Sequence, residues 1–257
     1  MPSSNIAVAH SETGLVTAEV IRADRISPHF VRLTIGGDEL AHWRHFGFDQ
    51  WFRLALPVAG DATRFDRLSD RFDTRGYLRY LAMPKATRPA IRNYTVREFR
   101  PESREMDIDF VVHGGDLGLS TSSSDTSRLP EAEPTGIAAP WAVSHPIGAR
   151  VALIDQGCGY RGVPGALRVV LVGDETAVPA VLGILRDLPR DTVGDAIIEI
   201  PDPADEQVAD APEGVRVNWI TRAHGRTPGE AALASLRALP QWQEPVSAFV
   251  AGEQKLA

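Results

Sequence analysis

The hydrophobic pattern of this chain changes near residue 165, and the change limits the folds open to it. Before that point, short segments alternate apolar and polar residues between Pro or Gly, as half-buried antiparallel strands do. After it, continuous apolar runs alternate with segments of helical spacing, which is typical of a parallel sheet. The pattern predicts an α+β chain of two domains. An antiparallel six-stranded Greek-key β-barrel over residues 14–162 is followed by an α/β parallel-sheet domain over residues 166–257.

Individual elements follow from the same pattern. The first domain is predicted to hold six or so strands, within TAEVIRADRI, HFVRLTIGG, 50–57, 77–81, RNYTVREF, 105–115 and 149–157. In the second, four strands alternate with two helices, and Thr176 is predicted to cap the helix in TAVPAVLGILRDLP. The Ser- and Pro-rich segment 116–135 fits neither pattern. It is predicted to be a long mobile insertion, either without chemistry or acting as a lid.

Composition excludes several classes of protein. A net charge of −7 argues against general nucleic-acid binding, and no apolar run has membrane length. The single cysteine, Cys158, excludes an internal disulfide and a cysteine-ligated cluster or zinc site. His42 and His45 lack a third partner, so no metal site is predicted. The N-terminus shows no secretory signal, and we expect a cytoplasmic, monomeric enzyme.

The stretch RNYTVR, residues 92–97, carries the first chemical signal. Arg92 and Tyr94 are two residues apart, so on a strand they face the same side. A guanidinium beside a ring suits a flavin dinucleotide, because one can pair with the diphosphate and the other lie against the isoalloxazine. Thr95 could then hydrogen-bond the flavin edge. From the residues alone, an ordinary cross-strand pair is the alternative.

Arginines recur between residues 64 and 100, although the chain is acidic overall. Such a basic region is either a solvated face or a surface that attracts an anionic small molecule.

A barrel carrying Arg-x-Tyr-Thr before a parallel α/β domain resembles the ferredoxin-reductase-like flavoenzymes. More specifically, the chain resembles the siderophore-interacting proteins, which are FAD-dependent ferric-siderophore reductases. The resemblance covers nearly the whole chain from Leu15. It rests on the stretches DQWFRLALP, RNYTVR, DFVVHG continued as GIAAPWA, VGDETAVPA, and AGE at residues 251–253.

The resemblance implies a set of FAD contacts. Arg92 would pair with the diphosphate, Tyr94 would lie against the isoalloxazine, and Thr95 would bond its polar edge. The remaining implied contacts are Asp109, Val111 and His113 on the ribityl or adenylate side, the backbone of Ala138 and Ala139 at the diphosphate, and Trp141 beneath that turn. For His113 and Trp141, purely structural roles are the alternatives.

The resemblance also implies a site for the electron donor. The strand-to-helix turn in GDETAVPA favours an anion, and the resemblance implies a nicotinamide nucleotide there. Asp174 and Glu175 would repel a diphosphate if they pointed at it. Their alternative role is to stabilise the start of the helix. The implied contacts are Gly173, Asp174, Glu175, Thr176, Gly252 and Glu253. Arg222 and Arg226 are candidates for a 2′-phosphate. NADH, NADPH and ferredoxin all stay open as donors.

Several positions depart from the family pattern. Arg53 stands where a lysine is common, at a position implied to face the ferric siderophore together with Lys85, and Ala139 stands where a hydroxyl residue is common. The insertion falls beside the expected diphosphate. The chain also ends at Ala257, before the final helix of the family, which implies a truncated C-terminus or a differently built nicotinamide site.

The sequence therefore predicts a flavoenzyme that reduces siderophore-bound Fe(III) to Fe(II) with electrons from NAD(P)H or ferredoxin. Two alternatives stay open. One is a general NAD(P)H:flavin or ferredoxin-type reductase, and the other is a non-catalytic flavin- or siderophore-binding module.

Overall fold

The first half of the chain folds into a seven-stranded, barrel-like antiparallel sheet. A computed structural model describes residues 12–58, 62–112 and 136–252. The strands are β1 (Leu15–Ser27), β2 (Phe30–Gly36), β3 (Trp51–Leu56), β4 (Ala90–Thr95), β5 (Glu98–Arg100), β6 (Glu105–Val111) and β7 (Arg150–Gly157). Their order across the sheet is β4-β3-β7-β1-β2-β6-β5. The sheet holds one strand more than the six predicted. The predicted insertion at 116–135 lies outside the described residues.

Helix α1 (Thr74–Leu81) corrects one predicted element. The sequence predicted a strand over 77–81, whose two tyrosines favour strands. Instead, the side chain of Asp73 accepts a hydrogen bond from the backbone N–H of Gly76 at 2.8 Å and caps a helix. Tyr77 and Tyr80, three residues apart, then come together on one helix face. The cap and this spacing outweigh the strand preference.

The second half is a four-stranded parallel sheet with helices on both faces. Its strands are β8 (Arg168–Gly173), β9 (Val193–Ile200), β10 (Gly214–Thr221) and β11 (Val246–Ala251), in the order β10-β9-β8-β11. The helices are α3 (Val178–Asp187) and α4 (Glu230–Arg237), while α2 (Ala138–Val143) packs on the barrel. The two-part fold predicted from the sequence is confirmed. No helix in the described part of the chain is long and apolar enough to cross a membrane.

The start of α3 differs from the sequence prediction. Asp174, not Thr176, accepts the capping hydrogen bonds, from the backbone N–H of Thr176 at 2.9 Å and from its hydroxyl at 2.6 Å. A short 3-10 helix, Glu175–Ala177, lies between this cap and α3. The prediction failed because the extra turn moves the cap two residues toward the N-terminus.

Helix α3 lies against the barrel as well as against its own sheet. Phe30 and Val111 of the barrel pack into the same apolar core as Val181 and Leu185. A Cβ atom added at Gly183 would lie 2.1 Å from the carbonyl oxygen of Phe48. Only glycine allows the helix to approach this loop so closely.

Gly183→Ala is therefore expected to destabilise the protein, although alanine favours helix by about 1 kcal/mol. The clash with Phe48 outweighs that preference, and overpacking of this kind costs about 1–3 kcal/mol. Equilibrium urea unfolding would measure the change. Gly162→Ala is the control, because its Cβ would meet only the Tyr160 hydroxyl, at 3.8 Å. A Gly183→Ala variant as stable as the original protein would contradict this packing argument.

Candidate functional site

The strand β4 places the RNYTVR residues at an edge of the barrel sheet. Arg92 lies opposite Leu54 of β3, and Tyr94 lies opposite Phe52. Since side chains alternate along a strand, Arg92 and Tyr94 lie on one face of β4, while Asn93 and Thr95 lie on the other. Arg92 is exposed, and its guanidinium donates to the carbonyl oxygen of Ile91 at 2.8 Å. No ion pair joins Arg92 to a carboxylate among residues 12–58, 62–112 and 136–252, so its charge is available to a ligand.

Three aromatic rings connect β4 to helix α2. The ring centroids of Tyr94 and Phe110 lie 4.3 Å apart, and those of Phe110 and Trp141 lie 6.0 Å apart. Burial raises the pKa of the Tyr94 hydroxyl. The chain of rings fixes α2 beside the strand that carries Arg92 and Tyr94. Sequence reasoning missed Phe110, although its inward position on β6 follows from the strand alternation.

Helix α2 brings backbone donors to this place. Ala138 and Ala139 form its first turn, where N–H groups have no acceptor within the helix. Gly136, just before the helix, faces open space, since no described atom lies within 4 Å of where its Cβ would be. A guanidinium, a tyrosine ring and N–H donors beside open space are the groups that a flavin dinucleotide requires. The residues present therefore fit FAD.

The remaining predicted flavin contacts lie elsewhere on β6. Asp109 is 4% exposed and binds Arg32 through two hydrogen bonds of 2.7 and 2.8 Å. Val111 packs into the core of the parallel-sheet half. Both side chains are on the face of β6 opposite Phe110, so the structure does not bring them to Tyr94. His113 lies outside the described residues.

Arg97, the last residue of RNYTVR, was not assigned a role from the sequence. Its Nε lies 3.6 Å from the Asp109 carboxylate, and its pKa is lowered by burial. The carbonyl oxygen of Arg97 accepts a 3.4 Å hydrogen bond from Arg186 of α3. Arg97 thus contributes to the contact between the barrel and the second half.

Arg53 lies on the other face of the sheet, directly opposite Asn93. Its guanidinium carbon is 4.5 Å from the centre of the Phe72 ring and 5.8 Å from that of Trp51. The amide oxygens of Asn93 and Gln156 each accept a hydrogen bond of 3.4 Å from it. Burial lowers the pKa of Arg53. Aromatic rings and amides therefore hold this cation in place without neutralising it.

Lys85, the second predicted substrate contact, is exposed in the turn that follows α1. This turn is closed by the backbone hydrogen bond from Thr87 N–H to the Pro84 carbonyl oxygen, at 3.0 Å. It leads directly into β4.

The predicted nicotinamide contacts gather at the end of β8. Gly173 pairs with Ala251 of β11, so Gly252 lies next to the turn that carries Asp174, Glu175 and Thr176. A Cβ at Gly173 would lie 2.5 Å from the Cβ of Ala177, so this glycine is required by packing of the turn. Glu253 lies outside the described residues.

Arg222 is bound within the protein rather than exposed to a phosphate. It donates to both oxygens of Glu175, at 2.6 and 2.7 Å, and to Glu199 at 3.1 Å. Glu199 also accepts the backbone N–H groups of Ala231 and Ala232 at the start of α4. The hydrogen bonds to Glu175 raise the pKa of Arg222. The structure thus removes Arg222 as a 2′-phosphate contact, because two buried carboxylates already neutralise it.

The other 2′-phosphate candidate is arranged differently. Arg226 is exposed, and its Nε lies 3.6 Å from the carboxylate of Glu230, the first residue of α4. Each of the two arginines thus has glutamate partners within the protein: Glu175 and Glu199 for Arg222, and Glu230 for Arg226. The carboxylates of Asp174, Glu175 and Glu199, near the carboxyl ends of the parallel strands, are thus buried and hydrogen-bonded within the protein.

Two family models match this chain and together cover most of it. Residues 19–158 match the siderophore-interacting FAD-binding domain, and residues 166–257 match the siderophore-interacting protein domain.

Curated relatives match at moderate identity. An uncharacterised protein of Mycobacterium tuberculosis is 31% identical over 204 residues, which are 79% of this chain and 64% of the relative. Ferric vibriobactin reductase ViuB of Vibrio cholerae is 33% identical over 169 residues, which are 65% of this chain and 55% of that protein. The chain thus spans between about half and two thirds of the length of these relatives.

Solved structures show the same architecture. A siderophore utilization protein from T. fusca has a TM-score of 0.67 at 30% identity, over 94% of this chain and 82% of that one. The siderophore-interacting protein SipS from Aeromonas hydrophila has a TM-score of 0.70 at 24% identity, over 95% and 82%. A ferredoxin NADP+ reductase from Neisseria gonorrhoeae shares the fold, with a TM-score of 0.56 at 12% identity over 95% and 88%.

Proposed function

This chain belongs to the siderophore-interacting protein family, and from that premise we propose that it is an FAD-dependent ferric-siderophore reductase. It would reduce siderophore-bound Fe(III) to Fe(II) with electrons from NADH, NADPH or a ferredoxin. The V. cholerae relative is named a ferric vibriobactin reductase, which supports a reductase over a general binding module. Because Fe(II) binds hard oxygen chelators less strongly, its formation releases the metal.

The observation that carries this proposal is the grouping of Arg92, Tyr94 and the first turn of α2. When bound, FAD would accept a hydride or electrons from the donor and pass single electrons to iron. The chain would position it. Arg92 and the N–H groups of Ala138 and Ala139 would hold the diphosphate, and Tyr94 would support the isoalloxazine. Thr95, whose side chain lies on the other face of β4, would bond the polar edge of the flavin through its backbone N–H. Trp141 would hold α2 in place through Phe110.

The iron would stay on its chelator until Fe(II) has formed. Within residues 12–58, 62–112 and 136–252, no group of three His, Cys, Asp or Glu side chains could hold a metal ion. Arg53 and Lys85 would instead attract the anionic chelate as a whole.

The end of β8 leaves both a nicotinamide nucleotide and a protein donor open. Asp174 and Glu175 are 0% and 1% exposed, and Arg222 is already paired with Glu175. A bound diphosphate would therefore contact neither carboxylate, and the exposed Arg226 remains the candidate contact to a phosphate.

A visible absorption spectrum tests the proposal directly. The purified protein is expected to bind added FAD and show a flavin spectrum. Under anaerobic conditions it is mixed in turn with NADH, NADPH and reduced ferredoxin, and then with a ferric siderophore. Bleaching followed by recovery on addition of the ferric chelate supports the reductase and identifies the donor. A colourless protein that takes up no FAD would rule out the roles of Arg92, Tyr94 and Thr95.

Arg53→Ala is expected to slow reduction of anionic ferric chelates by about tenfold, and reduction of a neutral dye by less than twofold. A partly desolvated charge contact of this kind contributes about 1.5 kcal/mol. Steady-state kcat/KM values for both acceptors provide the measurement. The exposed Arg190, paired with Asp210, gives the control variant Arg190→Ala. Equal losses for both acceptors would remove Arg53 from substrate recognition.

A further inference from the structure

A cavity of about 560 Å³ lies where the barrel meets the second half of the chain, and we call it the junction cavity. Segments 45–47 and 97–99 line it from the barrel, and Arg186 and Asp187 line it from the end of α3. Its volume falls within the range of small-molecule sites, about 300–1,000 Å³. None of the lining residues belongs to the proposed flavin site, so the junction cavity would serve a different ligand.

Arg97 brings an incompletely paired cation to the junction cavity. Its side chain is only 18% exposed, and its Nε is buried with no hydrogen-bond acceptor among the residues that the structure describes. The carboxylate of Asp109 lies 3.6 Å away, but both of its oxygens accept hydrogen bonds from Arg32, at 2.7 and 2.8 Å. The protein therefore neutralises Arg97 only in part, and an oxyanion in the cavity would offset the remaining charge.

The charges around Arg97 indicate how many negative charges the cavity can accept. Arg32, Arg97 and Arg186 are the cations, and Asp109 and Asp187 are the carboxylates paired with them, which leaves 3 − 2 = +1. Burial lowers the pKa of Arg97, and repulsion from Arg32 and Arg186 adds to the effect. A ligand with one negative charge would balance these groups, whereas a dianionic phosphate would exceed them.

His45 and Phe99 give the junction cavity an apolar part. Their ring centroids lie 5.7 Å apart. Burial and the nearby Arg186 lower the pKa of His45, so the imidazole is mostly neutral at pH 7. Two flat, uncharged rings in the same cavity as a guanidinium suit a ligand that combines an apolar body with one carboxylate.

We propose that the junction cavity binds a small organic monocarboxylate, with its carboxylate on Arg97 and its apolar body against His45 and Phe99. Arg186 lines the cavity from α3 and donates to the carbonyl oxygen of Arg97 at 3.4 Å. A ligand held beside these two arginines connects the barrel to the second half. The inference does not depend on the proposed reductase function, because no flavin contact takes part in it.

Benzoate is a suitable probe, because it carries one charge on a flat apolar body. Benzamide has the same shape without the charge, and inorganic phosphate has charge without the apolar body. Each is titrated into the whole chain with FAD in excess, so that the proposed flavin site is filled, and isothermal titration calorimetry measures binding. Benzoate is expected to bind at least about tenfold more tightly than either of the others, the effect of one hydrogen-bonded charge.

Arg97→Met is expected to weaken benzoate binding about tenfold and to change benzamide binding by less than about twofold. Methionine keeps much of the side-chain volume and removes the charge. The exposed Arg190, paired with Asp210, gives the control variant Arg190→Met, which should leave benzoate binding unchanged.

Titration of His45 by NMR tests the inference even if Arg97→Met fails to fold. Saturating benzoate is expected to move the pKa of His45 upward, because a nearby carboxylate stabilises the imidazolium. The other charged groups that line the cavity are Arg97, Glu98, Arg186 and Asp187. A His45→Gln variant identifies the resonance.

Three results would overturn the inference. They are benzoate binding no tighter than benzamide or phosphate binding, benzoate binding that a folded Arg97→Met variant retains in full, and a His45 pKa that benzoate leaves unchanged. All three leave the proposed reductase function intact, since the flavin spectrum is measured without benzoate. Conversely, a protein that takes up no FAD but binds benzoate as expected keeps the inference and overturns the reductase.

Discussion

Replacing Arg92 with methionine is expected to weaken FAD binding about 100-fold. Methionine keeps the length of the side chain and removes its charge. Hydrogen bonds to a charged partner contribute about 1.5–3 kcal/mol, and a guanidinium that binds a phosphate through two N–H groups lies at the upper end. Arg92 has the required freedom, because it is exposed and, among the residues that the structure describes, its side chain donates only to its neighbour Ile91. Isothermal titration calorimetry, with FAD added to the apoprotein, gives the dissociation constants of the original protein and of Arg92→Met.

Two further variants sharpen that measurement. Arg92→Lys keeps the charge but not the fork of donors, so we expect a loss of about tenfold, between the original and methionine variants. Arg190→Met removes an exposed arginine from the other half of the chain and is expected to leave FAD affinity unchanged. If Arg92→Met binds FAD as tightly as the original protein, the diphosphate lies elsewhere.

Arg222→Met is expected to lower the free energy of unfolding by about 3–5 kcal/mol. The variant leaves the carboxylates of Glu175 and Glu199, which are 1% and 0% exposed, without their shared cation. Breaking a buried ion pair from one side costs this much because a charge stays buried and unpaired. Equilibrium urea unfolding, followed by circular dichroism, would measure the loss.

The chain contains a matched exposed pair for comparison. Arg226 lies 3.6 Å from Glu230, with side chains 66% and 51% exposed. Exposed pairs contribute about 0–1 kcal/mol, so Arg226→Met should change stability by less than about 1 kcal/mol. Adding Glu175→Gln to Arg222→Met is expected to recover part of the loss. Equal effects of Arg222→Met and Arg226→Met would show that the buried cluster is not the source of stability.

The sequence predicted the elements whose pattern is local and repeated. Strands of the parallel sheet are continuous apolar runs, and β4 could be placed because its residue types suit a half-buried strand. The helix α1 was missed because its cap, Asp73, lies outside the segment that favoured a strand. Strand β5, with three residues, is too short to show a period.

The candidate site was predictable only in part, because sequence patterns show contacts between neighbouring residues but not between distant segments. Arg92 and Tyr94 are neighbours in sequence, so their shared face follows from alternation. The partners of Arg222 come from residues 175 and 199, on two other segments, and no local pattern links them. The same is true of Arg53 and Phe72, which meet only because α1 folds back over β3. Long-range charge and ring contacts require the tertiary fold.

The position of β7 in the barrel has a consequence for synthesis of the chain. This strand lies between β3 and β1, and Ile154 pairs with Leu15, which is 139 positions earlier. On the ribosome, β1 and β3 therefore emerge long before their common neighbour, and each presents an unpaired edge in the meantime. At about 5–20 residues per second, that interval lasts on the order of ten seconds. Nascent chains shorter than about 160 residues are thus the species most exposed to strand-mediated aggregation.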